Sequence, residues 1–188
     1  MPPKVKIKKE DIILTAYEIA RKEGISGVNA RRIAQQLHCS VQPIFSNFDH
    51  MEELKNEVLK LAFRQYLTYV TEEDSYLAMG MNYIALAQNE PKIFEMLFMS
   101  EKNQTFQDFY QEMIPDFDYV ARSIQKTAEL EVEKLRDFHQ KMWIFVHGIA
   151  TLLANHTIQL TPLQIEALLK AQFQALLLYE KNKQKEEE

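Results

Sequence analysis

N-A-R-R-I-A-Q-Q-L-H-C-S-V-Q-P-I-F-S-N-F, running from Asn29 to Phe48, is the stretch on which the reading of this chain turns. Ile33, Ala34 and Leu37 recur at helical spacing and can share one buried face. Asn29 stands directly before them, where its side-chain oxygen can accept a backbone N–H that the first turn leaves unsatisfied. His38-Cys39 reads as a turn, and Ser40 as the cap of a second short helix. Pro43 falls in the first turn of that helix, where its missing N–H removes no intrahelical bond. Ile44, Phe45 and Phe48 are the expected anchors, which leaves Val41, Gln42, Ser46 and Asn47 for other faces. Two short helices meeting across a turn of roughly three or four residues describe helix-turn-helix geometry, whose second helix can enter a DNA major groove.

On the N-terminal side, Ile12, Ile13, Ala16, Ile19 and Ala20 make the apolar face of a helix over Lys9–Glu23, and Gly24 supplies a left-handed stop. The segment before it, with Lys4, Lys6, Lys8 and Lys9, reads as a basic arm suited to DNA phosphate or, equally, as a solvated tail. On the C-terminal side, Asp49 or His50 can cap a long helix to about Thr71, since Glu52 and Glu53 follow at capping-box spacing. Glu72-Glu73-Asp74-Ser75 then breaks the pattern. Helices are predicted over 75–89, 91–99, 104–113, from Pro115 to Ala128, over 130–155, and from Pro162 onward to a frayed charged tail beginning at Lys181. Thr161-Pro162-Leu163-Gln164 carries the start signal of the last one. The fold class is therefore all-α, with expected divisions at 1–50, 51–74 and 75–188.

At 188 residues, with 46% hydrophobic residues and four glycines, the chain can bury a sizeable core. Its single cysteine, Cys39, allows no internal disulfide and suits a reducing compartment. No apolar run reaches the roughly 18 residues of a membrane span, and the first residues lack the apolar core of a signal peptide, so the expected location is the cytoplasm. Net charge is −5. Residues 1–48 nevertheless hold eight Lys and Arg against four acids, and the acidic excess lies in the remainder. A basic head on an acidic body fits a nucleic-acid reader joined to an effector module.

Groups of residues within and beyond this stretch carry a resemblance. Gly24-Ile-Ser-Gly-Val28, Ile33-Ala34, the S-x-x-x-I-F-x-x-F of Ser40 to Phe48, and Met51-Glu-Glu-Leu54 resemble the DNA-binding domain of the TetR/AcrR family of transcriptional regulators over about residues 10 to 55. His38 stands where the family's turn usually has glycine, Phe45 where it has tyrosine, and Met51 where it has a phosphate-holding lysine. Trp143-x-x-x-His147-Gly148 resembles the C-terminal signature of one subgroup of that family, and the N-Y-I-A-L-A-x-x-x-P-x-x-F-x-x-L-F of Asn82 to Phe98 extends the similarity.

The resemblance implies an N-terminal three-helix reading domain, a linking helix after it, and a helical bundle that binds a small molecule and pairs with a second subunit. It implies DNA contacts from Lys8, Asn29, Arg31, Arg32, Ser40, Val41, Gln42, Pro43, Phe45, Ser46 and Asn47. Of these, Arg31, Arg32 and Asn29 suit phosphate, Gln42 suits an adenine edge, and Val41 and Pro43 suit thymine methyls. The same residues can equally be ordinary exposed polar positions on short helices.

Ligand contacts are expected from Met81, Phe94, Phe98, Met99, Phe106, Met142, Trp143 and His147, because methionine repacks around varied apolar shapes. Plain core is the alternative for each, and for His147 a buried imidazole bonded to a neighbour. The partner helix face is expected at Val146, Ile149, Leu153, Leu169, Phe173, Leu176 and Leu177. His139, His147 and His156 do not converge on a helix, where 139 and 147 lie about 80° apart, so no metal site is expected. No cofactor is expected either, beyond an unidentified effector. No phosphate loop, G-x-S-x-G or H-E-x-x-H supports an enzyme. Two functions remain: a dimeric, effector-released repressor of a palindromic DNA operator, and a helical binding module that keeps the fold without reading DNA.

Overall fold

The computed structural model describes residues 7–71, 75–100 and 105–187, the last four of these by backbone alone. Among the described residues there are ten α-helices and no strand. They are α1 Lys9–Glu23, α2 Ala30–Gln36, α3 Gln42–Asn47, α4 Met51–Val70, α5 Tyr76–Asn89, α6 Pro91–Phe94, α7 Phe106–Met113, α8 Phe117–Gln125, α9 Val132–Ala154 and α10 Pro162–Glu187. None is long and apolar enough to cross a membrane. The chain forms two compact units, Met1–Leu67 with Glu90–Ser100, and Thr68–Asn89 with Glu101–Glu188. The expected divisions cut across both. The expected break at residues 72–74, the arm through Lys6 and the start of the 104–113 helix lie outside the described residues.

In the first unit α1 buries Ile12, Ala16, Ile19 and Ala20 on one stripe. It ends at Gly24, whose φ of 81° and ψ of 169° fall in a region that only glycine enters readily, rather than in the left-handed helical region. Asn29 caps α2 as its side chain predicts, accepting the Arg32 N–H at 3.1 Å. The turn that follows is a Schellman motif. His38 takes a positive φ of 50°, its N–H reaches the Gln35 carbonyl at 3.2 Å, and the Cys39 N–H reaches that of Ala34 at 2.9 Å. Ser40 does not cap α3: the N-cap is Val41, and no side chain bonds to it. Val41, with helical angles of φ −71° and ψ −14°, separates Ser40 from the first residue of α3.

The segment Glu90–Ser100 belongs to this unit because its apolar side chains have their neighbours there. Ile93, Phe94, Met96, Leu97 and Phe98 are all buried, and Phe98 meets Tyr66 of α4 edge-on with ring centroids 5.1 Å apart. Past Phe94 the helix widens into a π-turn over Glu95–Met99. The Arg21 guanidinium grips Glu90 with two bonds, its Nε donating at 2.7 Å.

The second unit is built on the pairing of α5 with α9. Gly80 lets α5 approach closely, since a Cβ there would stand 3.1 Å from Leu169 of α10 and 3.8 Å from Val146 of α9. α9 buries Leu135, Phe138, Met142, Val146, Ile149 and Leu153, which recur every three or four residues along one side of the helix. It ends in a second Schellman turn with His156 at φ 54°. α10 opens with the predicted capping box, Gln164 Oε1 accepting the Thr161 N–H at 2.9 Å and Thr161 Oγ1 accepting that of Gln164 at 3.3 Å. Its backbone stays helical to Glu187 rather than fraying from Lys181, since no Gly or Pro interrupts the Lys, Gln and Glu run there.

Candidate functional site

The residues that the sequence singles out lie in two places, one in each unit. In the first, α3 is seated by fully buried Ile44 and by Phe48 just beyond its end. Val41, Gln42, Phe45 and Ser46 are exposed. Phe45 is 52% exposed, so it is no anchor: one residue beyond Ile44 it turns about 100° away from the buried side. Pro43 and Asn47 are half-buried. Ser46 Oγ donates to the Gln42 carbonyl at 2.9 Å and Asn47 Nδ2 to that of Pro43 at 2.7 Å, holding both side chains against the helix.

Around α3, Ser40 and Lys8 are exposed, and Arg31 is exposed without an ion pair among the described residues. Arg32 is paired with Glu23. That pair spans the turn between α1 and α2, at a spacing with no helical period, so no sequence pattern announces it. Asn29 spends both ends of its amide locally, since Nδ2 also donates to the Gly27 carbonyl at 3.2 Å.

In the second unit, α9 presents His139, Trp143 and His147 at one-turn intervals. Trp143 stacks on His147 with ring centroids 4.9 Å apart and planes 12° from parallel. Each imidazole places Nδ1 2.8 Å from a tyrosine hydroxyl of α5, His139 from Tyr76 and His147 from Tyr83. Burial, with the Arg136 charge adding to it, pushes His139 down to about 3, and burial also lowers His147. Burial raises Tyr76 and Tyr110 above the usual phenol range. Near neutrality the cluster is therefore uncharged. Phe106, Phe109 and Tyr110 of α7 pack around Trp143 with centroids 5.6 to 6.3 Å from it.

The expected ligand residues are divided by this arrangement. Met81, Phe106, Met142, Trp143 and His147 belong to the second unit, whereas Phe94, Phe98 and Met99 belong to the first. Phe94 and Phe98 are core there, and Met99 is exposed. His147 has the tyrosine bond of the bland reading. Tyr76, Tyr83 and Tyr110 are not among the candidate ligand residues that the sequence singles out, and His139 enters there only as a rejected metal ligand. The available signal was a pair of tyrosines seven apart on α5 against two histidines eight apart on α9.

Of the expected partner-facing residues, Val146, Ile149, Leu153 and Leu169 are buried within their own unit. Phe173, Leu176 and Leu177 are half-buried, and the large exposed apolar side chains of α9 and α10 among the described residues are Val132, Ile144, Leu152, Leu163, Leu168, Leu178 and Tyr179. Compared with protein-family models and with curated proteins, the chain matches none.

Proposed function

We propose that the protein is a one-component transcriptional regulator of the TetR/AcrR kind, acting as a repressor. A homodimer binds a near-palindromic operator, and a small apolar or amphipathic molecule held in the second unit releases it. The observation that carries this reading is the outward face of α3. A helix fixed to its unit by Ile44 and Phe48 holds Val41, Gln42 and Phe45 in solvent, where two apolar side chains gain nothing unless a partner surface covers them. An edge of paired bases supplies thymine methyls for Val41 and an adenine for Gln42. Arg31 is free for phosphate, and Arg32 can join it by exchanging Glu23.

The exposed apolar residues of α9 and α10, Ile144, Leu152, Leu168 and Leu178, support pairing of two copies through these helices. α4 starts in the first unit and ends in the second. A ligand acts through it by binding the released conformation more tightly than the DNA-bound one. The Glu23–Arg32 pair and the missing hydroxyl at Phe45 favour a second reading, a binding module that no longer reads DNA.

Selection from a random DNA pool, repeated at two salt concentrations, tests the choice. The regulator enriches an inverted repeat and binds it with a steep salt dependence. Failure to enrich any sequence overturns it in favour of the module. With a site in hand, Gln42→Ala changes the preferred bases at one position of each half-site by about ten-fold or more.

A further inference from the structure

Four buried polar side-chain atoms have no hydrogen-bond partner among the described residues: Tyr110 Oη, His139 Nε2, Trp143 Nε1 and Thr151 Oγ1. Three of them share one neighbourhood. The Tyr110 ring lies 5.8 Å from that of His139 and 6.3 Å from that of Trp143, and His139 and Trp143 are one turn apart on α9. All three residues are more than nine-tenths buried. Orphans of this kind are rare in folded interiors, and three on neighbouring aromatic side chains mark a candidate polar contact point for a ligand.

Their protonation fixes what that occupant offers. Indole Nε1 can only donate. His139 Nδ1 is the one hydrogen-bond partner of the Tyr76 hydroxyl among the described residues, and with that hydroxyl donating to it the neutral imidazole carries its proton on Nε2. Tyr110 adds a hydroxyl. Two ring N–H donors and a hydroxyl, none of them charged and all walled by aromatic rings, suit a neutral acceptor; the Arg136 charge that reaches His139 and Tyr110 sits on an exposed side chain over the Phe117 ring, 4.1 Å from its centroid. Phe106, 44% exposed and with its ring 6.1 Å from that of Trp143, marks the side nearest solvent.

We propose that Tyr110, His139 and Trp143 bind the carbonyl oxygen of a neutral, largely apolar ring compound such as a cyclic ketone, lactone or quinone. This rests on the ligand-binding half of the function proposed above and names its ligand class.

The test is calorimetric titration of the full chain, without DNA, with three pairs of equal shape: 9-fluorenone and fluorene, anthrone and 9,10-dihydroanthracene, 1-tetralone and tetralin. At least one ketone binds ten-fold or more tightly than its hydrocarbon. Trp143→Phe and Tyr110→Phe each erase about five-fold or more of that preference and leave hydrocarbon binding unchanged. In the free protein Tyr110→Phe is neutral or raises Tm, because it removes an unpaired hydroxyl. Equal affinities within all three pairs overturn the carbonyl assignment while leaving an apolar ligand site. Binding of neither member in any pair, or a lower Tm for free Tyr110→Phe, means that the orphan groups hold only water, and it overturns the site. DNA selection is read separately, so neither failure is confused with loss of the DNA-reading function.

Discussion

His139 and His38 show how one residue type meets opposite demands. His139 is buried and neutral, so protons bind it in the unfolded chain but not in the folded one. With an ordinary value of 6.5 and a folded value of about 3, its contribution is complete above pH 6.5 and declines as pH falls below that. The slope is roughly 1.4 kcal/mol per pH unit, so about 2 kcal/mol is lost by pH 5, where ordinary carboxylates are still ionised. Urea denaturation of the wild type and of His139→Gln at pH 7 and pH 5 checks this, the variant losing markedly less between the two. His38 is exposed and contends with backbone geometry instead. At φ 50° it occupies a position that suits glycine, so His38→Gly is expected to stabilise the protein by about 0.5–1 kcal/mol. The gain is the left-handed strain relieved less the extra freedom given to the unfolded chain, and the same urea titration measures it.

At the scale of elements, the tie between α9 and α10 illustrates what a charge pattern hides. Lys141 donates to Asp137 of its own helix at 2.6 Å and to buried Glu180 of α10 at 2.8 Å. Partial burial pulls its value down, but these bonds raise it above the ordinary lysine value. Lys141→Met leaves Glu180 buried and unpaired, and is expected to lower stability by about 1–3 kcal/mol. Adding Glu180→Leu should recover much of that loss, which a double-mutant cycle by thermal unfolding reads directly.

Glu180 lies in the run that the sequence suggests is near a solvated tail, and nothing local marks it as buried. By contrast, α1, α2, α5 and α9 were legible, because apolar spacing, Asn29, Gly24 and Pro91 are local signals. The capping box of α10 was legible for the same reason. The start of α3 was not, since the length of a Schellman turn depends on backbone geometry that Ser40 does not advertise. The exposed faces of Val41 and Gln42 followed from periodicity once Ile44 was placed, whereas Phe45 was assigned to the wrong side. In the polar cluster of the second unit Trp143 and His147 were legible from their motif, whereas the part of the tyrosines was not, because they come from α5 and α7 and only the fold brings them to α9.

For the whole molecule, the surface of α9 and α10 gives the proposed dimer a direct check. Ile144 and Leu152 stand two turns apart on the exposed side of α9, more than two-fifths exposed each. The pair Ile144→Glu and Leu152→Glu should leave the helices folded by circular dichroism and shift the mass measured by light scattering from dimer to monomer. An unchanged dimer mass would mean that copies pair elsewhere.

The return of Glu90–Ser100 to the first unit has a consequence for how the protein comes into being. Phe94 is fully buried there, and Arg21 holds Glu90, so the N-terminal unit lacks part of its interior until residue 100 has been made. A chain emerging from the ribosome would therefore hold its first helices in waiting, with the surface meant for Phe94 uncovered, while the start of the second unit is already outside. Chaperones would meet the nascent N-terminal unit in that interval, and a gene fragment ending near Thr71 would specify a unit that never closes.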